Sequence, residues 1–543
     1  MNAVAKPLAR AEVRAPAPAP APPPVAPLAA LTPRQKVLAF ATMCVGMFIA
    51  LLDIQIVSAS LRDIGGGLSA GADDAVWIQT SYLIAEIIVI PLSGWLAQVM
   101  STRWLFSASA AGFTIASMLC GLAWNIQSMI AFRALQGFLG GSMIPMVFTT
   151  AFVFYQGKQR VIAAATVGAL ASLAPTLGPT VGGWLTDHFN WHWLFYVNLL
   201  PGLFVTLVVP MLVKVDQPNW KQVRNADYLG MILMALFLGC LEYTLEEGPR
   251  LDWFGDRELT ITAWVSGLSA VGFIWRTLTY AHPIVDLRAL KERNFALGCF
   301  FSFMTGVGIF ATIYLTPLFL GRVRGFSALD IGLAIFSTGV FQIMAIPLYS
   351  FLANRVDLRW LMMFGLACFG LSMWFFSPIT HDWGAPQLLL PQALRGVGQQ
   401  FAVAPTVTLT LGSIAPARLK LASGLFNLMR NLGGAIGIAV CATMLNDRTN
   451  QHFLHLAEHL NPGNEAMNEL LTGVGGRIAA LGGDAVAAQG GALKELWNLA
   501  LREAATQSFS DVFVAIMAAF AITTAMVPLM RKVASAAPSP DAH

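Results

Sequence analysis

Fourteen times along this chain of 543 residues the sequence runs apolar for about twenty residues or more, the length that lets an α-helix cross the hydrocarbon core of a bilayer. The runs lie near 37–58, 76–98, 104–123, 127–154, 161–185, 193–213, 228–246, 260–280, 296–320, 329–353, 360–378, 387–412, 421–445 and 509–530. Lipid offers a backbone amide no water to bond to, so each run is expected to be a helix. Glycines and prolines inside them are tolerated because neighbouring helices re-satisfy the freed groups. With 56% hydrophobic and 11% charged residues, and a mean hydropathy of +0.64, the chain has too little polar surface for a soluble fold. Soluble enzymes and nucleic-acid binders are excluded, and a net charge of +4 points to no polyanionic partner. The expected fold class is an all-α polytopic membrane protein.

An even number of spans puts both termini on one side. That side carries sixteen lysines and arginines, among them Lys36, Arg103, Lys158, Arg355 and Lys420, whereas the short loops opposite carry only Arg62, Arg250, Arg257, Arg322 and Arg324. By the positive-inside rule the termini are cytoplasmic. Residues 1–36, with their APAPAPAPPPVAP tract and no cleavage site, read as a disordered cytoplasmic tail, and 531–543 as a second tail. The polar, Ala/Gly-rich stretch 447–508 is expected to form a small extracytoplasmic cap. The six cysteines all lie in apolar runs, with neither disulfide nor metal-ligand spacing, so no metal site is expected.

The chain repeats itself. PLSGWLAQVMSTRWL at 91–105 aligns without gaps to PLYSFLANRVDLRWL at 347–361, with seven identities in fifteen positions. TLGPTVG at 176–182 and NLGGAIG at 431–437, and ALQG at 134 and ALRG at 393, recur at nearly the same offset. Two six-helix bundles follow, 37–213 and 296–530, with two further helices inserted in the linker 214–295. Two such halves rocking about a site at their interface is the architecture of a transporter.

An ionisable group at the centre of a membrane helix costs roughly 2.5–3.5 kcal/mol on insertion scales, so each one carries a functional hypothesis. Asp53 and Arg133 each fall about 8–10 Å below the outer end of their helix and are placed to meet. A carboxylate there, raised in pKa by desolvation and lowered by a guanidinium, can be switched by opening the site to either side; a permanent packing pair is the plainer reading. Glu86, near the middle of its span, is a candidate for a second proton or a cationic substrate, or a protonated acid bonded to a neighbouring helix. Arg395 and Arg430, in the second half, read as structural hydrogen-bond donors or as an anionic-substrate site. With Gln136 and Glu86 they are the candidate cavity residues. Glu242, closer to an outer end, is expected to snorkel to the interface. In GALASLAPTLGPTVGGWLTD the glycines Gly178, Gly182 and Gly183 allow a close helix approach, and Pro175 and Pro179 offer a bend for an outer gate. The segment WHWLFYVN at 191–198 reads as interfacial aromatics.

These segments resemble the motifs of the major facilitator superfamily, and within it the fourteen-helix drug:proton antiporters of the EmrB and QacA type, over about 37–530. LLDIQIVSASL is similar to L-D-x-T-I-V-N-x-A-L, with Gln55 for the threonine and Ser58 for the asparagine; FRALQGFLGG is similar to R-x-x-Q-G-x-G-x-G. GALASLAPTLGPTVGG resembles the antiporter signature G-x8-G-P-x2-G-G, carried onto Gly168, Gly178, Pro179, Gly182 and Gly183 with one extra residue in the spacer. WHWLFYVNLLPG resembles W-R-W-x-F-x-x-N-x-P-x-G, and LEYTLEEGPRLDWF the end of the family's inserted seventh helix. The resemblance implies proton coupling through Asp53 and Arg133. It also implies export of lipophilic or amphipathic compounds from a bacterial inner membrane, and a periplasmic adaptor and outer-membrane channel as partners. The inner loop departs from G-x-L-A-D-R-x-G-R, since Gln98 replaces the aspartate and only Arg103 keeps a charge; the repeat copy, with Arg355, Asp357 and Arg359, is the alternative latch.

Two other functions compete. A transporter of one polar metabolite calls for more polar side chains in the cavity-facing helices of both halves. A membrane-embedded enzyme calls for clustered carboxylates or a metal set, and Asp187, His188 and His192 lack convergent partners. With no G-x-x-x-x-G-K-[ST] pattern, the energy source is expected to be the proton gradient, with no cofactor.

Overall fold

The computed structural model describes residues 31–281, 283–461, 463–480 and 484–532, and every regular element among them is helical. The polyproline tract of the first tail and residues 533–543 of the second lie outside the described residues. The first half consists of α1 (Pro33–Ala59), α2 (Ala72–Met100), α3 (Thr102–Gly121), α4 (Ile126–Phe154), α5 (Gly157–His188) and α6 (Leu199–Leu212). The inserted pair is α7 (Tyr228–Glu247) and α8 (Arg257–Thr279). The second half comprises α9 (Arg293–Arg322), α10 (Ala328–Ala353), α11 (Leu358–Phe376), α12 (Ala385–Leu411), α13 (Leu419–Glu458), α14 (Glu465–Ala480) and α15 (Ala485–Met526). Local chemistry sets the starts: Thr32 and Gln35 make a reciprocal capping box ahead of Pro33, and Asn125 with Ser128 does the same for α4.

Thirteen helices among the described residues are long and apolar enough to cross a membrane. The remaining expected span, α12, is 27 residues long but less apolar, because Gln392, Arg395, Gln399 and Gln400 are buried along it. The described residues of the stretch 447–508, expected to form a small cap, are mostly helical. Helix α13 runs on unbroken through Glu458 and α15 begins at Ala485; at 40 and 42 residues each is about 60 Å long, twice the hydrocarbon core. They project together, with α14 packed along α15 and the Phe453 and Trp497 rings 4.4 Å apart.

The two halves use the same pairings. In the first, α1 packs on α5 and α6, α4 on α2 and α3, and α3 on α6; in the second, α9 packs on α13 and α15, α12 on α10 and α11, and α11 on α15. Matched glycines make matched contacts. A Cβ on Gly137 of ALQG would stand 2.3 Å from the Tyr82 carbonyl oxygen, and one on Gly396 of ALRG 2.3 Å from that of Thr338. The halves meet through α2 with α13 and α5 with α10, and through α4 with α13 and α5 with α12, pairs of contacts that exchange under the repeat.

The loops that carry most of the basic residues share one end of the bundle, called here the basic end. There the halves are sealed together. Lys420 at the start of α13 reaches Asp216 of the linker and donates to the Ala97 carbonyl (3.0 Å), while the same carboxylate accepts from the Thr102 amide. Arg418 pairs with Asp286 at 2.6 Å, and Ser423 donates to the Pro145 carbonyl at 2.9 Å.

Candidate functional site: a buried carboxylate network beside a closed cavity

Asp53 and Arg133 meet. Both side chains are fully buried, and Nη1 of the guanidinium donates to Asp53 Oδ2 at 2.6 Å. The other carboxylate oxygen, Oδ1, accepts from Asn198 Nδ2 at 2.6 Å and from Gln136 Nε2 at 3.1 Å. Gln136 is itself fixed, its Oε1 accepting from Arg133 Nη1 at 2.7 Å, and Asn198 also donates to Ser117 at 3.0 Å. Arg133 donates Nε to the Ile78 carbonyl and lies over the Tyr82 ring, 4.2 Å from its centroid, while Nη2 has no hydrogen-bond partner. Two carboxylate oxygens thus receive three donors from α4 and from the turn before α6. That arrangement suits an ionised carboxylate, which is acceptor-only at both oxygens.

On the other side of the same turn of α1, Ile54 and Gln55 line a cavity of about 70 Å³. It lies between the halves in the part of the bundle away from the basic end, and Glu86, Glu242, Glu246, Phe310 and Asn431 also line it. Glu86 is where its central position in α2 placed it, and Arg430, next to Asn431, is its electrostatic neighbour. Arg430 lies over the Phe148 ring, 5.4 Å from the centroid.

Of the four candidate cavity residues only Glu86 lines this cavity; Arg430 is next to the lining residue Asn431 without lining it, and the other two sit elsewhere. Gln136 is fully buried in the Asp53 network and does not line the cavity. Arg395, its repeat partner, donates to Thr338 Oγ1 at 2.9 Å and leaves Nε and Nη1 unpartnered in the α10–α12 contact. Glu242 does not snorkel: it is 5% exposed and faces the cavity, because α7 turns that side toward α2. The proposed latch residues do not bridge the halves. Asp357 pairs with Arg359 two residues on, at 2.9 Å, and that hydrogen bond holds its carboxyl below the ordinary carboxylate range. Arg355 lies over Phe351 and Arg103 over Trp104, each beside its own chain. The bridge is Lys420, which reaches the Ala97 carbonyl of the first half and Asp216 of the linker; the sequence marked Lys420 only as one of the basic residues of this end, and Asp216 not at all.

The antiporter-like segment is a helix-packing device. A Cβ on Gly178 would stand 2.2 Å from Gln55 Cβ, and one on Gly182 2.7 Å from the Ile56 carbonyl oxygen, so α5 lies directly against the turn of α1 that follows Asp53. Gly168, further along, faces Val403 of the second half, and Thr180 faces Gly332 of α10. Pro175 and Pro179 lie within an uninterrupted 32-residue helix, and Gly183 follows on it. Asn198 is the site residue that sequence reasoning missed. It closes the WHWLFYVN run and matches the asparagine of the similar family motif, the one signal that marks it.

Two helical halves about a pseudo-twofold axis, with a buried charge pair in one of them and a cavity between, define a transporter of the rocking, two-bundle class. Residues 43–438 match the model of the Major Facilitator Superfamily, so the chain belongs to that superfamily, and within it to the EmrB type of drug:proton antiporter. It is 35% identical over 473 residues to the colistin resistance protein EmrB of Acinetobacter baumannii, covering 87% of this chain and 92% of that one. It is 32% identical to the multidrug export protein EmrB of Escherichia coli over 81% of this chain and 87% of that one. To the fatty acid resistance protein FarB of Neisseria gonorrhoeae it is 31% identical, over 80% and 85%. The fold is shared with the solved proton:xylose symporter XylE (TM-score 0.55, 14% identity, 78% of this chain and 91% of that one).

Proposed function

We propose that this protein exports lipophilic or amphipathic compounds across a bacterial inner membrane in exchange for protons, the halves rocking about the cavity with the basic end in the cytoplasm. The observation that carries the reading is the Asp53 network. Protonating either oxygen removes the charge and places an O–H donor among groups that only donate to it, so the hydrogen bonds from Arg133, Asn198 and Gln136 all weaken. A hydrogen bond to a charged group contributes about 1.5–3 kcal/mol, enough to loosen α1 from α4 or α6. The next turn of α1 is seated on α5, and α5 is one of the helices through which the halves touch. Proton arrival at Asp53 is thereby connected by continuous packing to the interface that must move. The names of the similar proteins, multidrug export, colistin resistance and fatty acid resistance, support export and leave the compound open. Each elementary charge moved inward supplies roughly 2.3 kcal/mol per 100 mV, enough for a gradient of about fifty-fold.

The cavity of about 70 Å³ is small beside the roughly 300–1,000 Å³ of drug-sized sites, so this state is closed on the site. The Lys420–Asp216 and Arg418–Asp286 pairs then act as the cytoplasmic seal. Lys420→Ala should favour opening of that end by about 1 kcal/mol, roughly fivefold in population. A cysteine placed at Ser423, buried against Pro145, should react about fivefold faster with a maleimide added from the cytoplasmic side. An unchanged rate would remove the seal from the mechanism. The projecting hairpin α13–α15, with Leu454, Val486, Leu493 and Trp497 exposed on it, is the surface we assign to a periplasmic adaptor.

Export itself is tested in proteoliposomes with an imposed pH gradient. Ethidium should move against its gradient in wild type, and a protonophore should stop it. Movement that ignores the pH gradient would exclude proton-driven export.

A further inference from the structure

The inserted helix pair has no counterpart in the repeat, yet α7 contributes two carboxylates to the cavity between the halves. Glu242 and Glu246 are four residues apart, on one face of α7, and that face is turned to α2 and the cavity. Glu242 is 5% exposed and its Oε2 has no hydrogen-bond partner among the described residues. Neither glutamate is free to swing away, because the far end of α7 is tied to both halves. Tyr243 stacks on Trp77 of α2 at 5.4 Å, Arg250 links Glu247 to Asp73, and Trp253 donates to Thr443 of α13 at 3.0 Å.

The ionisable groups that line this space are all acidic. Glu86, Glu242 and Glu246 face it, and among the described residues none of the three has an ion-pair partner within 4.0 Å. Arg430 makes no ion pair with Glu86 within 4.0 Å among the described residues and lies over the Phe148 ring, and Arg133 is committed to Asp53. A buried carboxylate without a partner is costly unless it is protonated or a cation arrives. No three His, Cys, Asp or Glu side chains among the described residues come close enough together to hold a metal ion, so the charge is spread around a volume rather than focused on a point. The rest of the wall carries no charge: Gln55, Gln79 and Asn431 add neutral polar groups to an otherwise apolar lining, in which Phe310 offers a ring face.

We infer that Glu242 and Glu246 of the inserted helix, together with Glu86, form a recognition site for the positive charge of lipophilic organic cations. The site opens to full size when the halves part, and α7 stays packed on α2. This deepens the export reading and rests on it: α7 selects cationic cargo, while Asp53 carries the proton.

The test is equilibrium binding of tetraphenylphosphonium, and in parallel of the neutral dye Nile red, to the purified full-length protein in detergent. Glu242→Gln/Glu246→Gln should bind tetraphenylphosphonium at least tenfold more weakly than wild type and Nile red within twofold. The control Glu258→Gln, on the exposed start of α8, should bind both as wild type does. Three results overturn the inference: equal loss of both ligands at unchanged thermal stability, unchanged tetraphenylphosphonium binding, or no binding of it by wild type. Should the double variant fail to fold, Glu246→Gln alone, at the partly exposed position, decides by the same criterion with a threefold threshold. Failure of the export reading is seen separately, as absence of pH-driven movement of either compound by wild-type proteoliposomes.

Discussion

Arg133→Ala is expected to abolish transport and to lower stability by about 3–5 kcal/mol, the cost of leaving a fully buried carboxylate without its counter-ion. The guanidinium makes more contacts than the ion pair: it holds Gln136 in register, bonds the Ile78 carbonyl and packs on Tyr82. Removing the charge from both sides separates the two contributions. Asp53→Ala/Arg133→Ala should regain most of the lost stability, because no unpaired charge is left, and should still not transport. Thermal unfolding in detergent and flux in proteoliposomes read the two quantities independently. A double variant that transported would show that the pair only fixes helix packing.

Gly178→Val should be almost as damaging without touching a charge. Even the first added carbon would lie 2.2 Å from Gln55 Cβ and 3.0 Å from the Gln55 carbonyl carbon, so α1 and α5 must separate. Overpacking of this kind costs about 1–3 kcal/mol or more, and here it also shifts the turn of α1 between Asp53 and the cavity. The repeat supplies a matched experiment. Gly433, the counterpart in NLGGAIG, would place a Cβ 2.0 Å from the Phe303 carbonyl oxygen, and Gly433→Val should cost a similar amount of stability. Gly267→Ala on α8, where nothing lies within 4 Å, should be neutral or stabilising by up to about 1 kcal/mol. Melting temperatures of the three purified variants check the ordering, and a Gly178→Val protein as stable as Gly267→Ala would contradict the close packing of α1 on α5.

What the sequence made legible follows from how lipid filters side chains. A charge in an apolar run is rare enough to be conspicuous, so Asp53, Arg133 and Glu86 stood out, and the depth count brought the first two together. Asn198 did not stand out. It is uncharged and ends an aromatic run that reads equally well as an interfacial belt, and only the fold brings it to Asp53. Gln136 and Arg395 were visible as polar groups, but a one-dimensional pattern does not say whether a polar face meets a cavity or a neighbouring helix, and both face helices. Glu242 was misread for the same reason, its side of α7 being settled by packing against α2. The projecting parts of α13 and α15 lack an apolar run because they leave the bilayer, so their helical continuity was hidden in a polar stretch. Of the glycines in the repeat, the sequence marked Gly178 and Gly182 for a close approach, and their contacts with α1 are of that kind.

The most direct measurement is of protons on the purified protein in liposomes. Ethidium is added to wild type and to Asp53→Asn while the external pH is followed in weak buffer. Asparagine presents one acceptor and one donor where the network supplies donors to both oxygens, and it cannot ionise. Expected is a substrate-induced proton movement in wild type and none in Asp53→Asn, with the variant still folded by its melting curve. An equal proton signal from both proteins would contradict the account, and would place the proton on another group, Glu86 first.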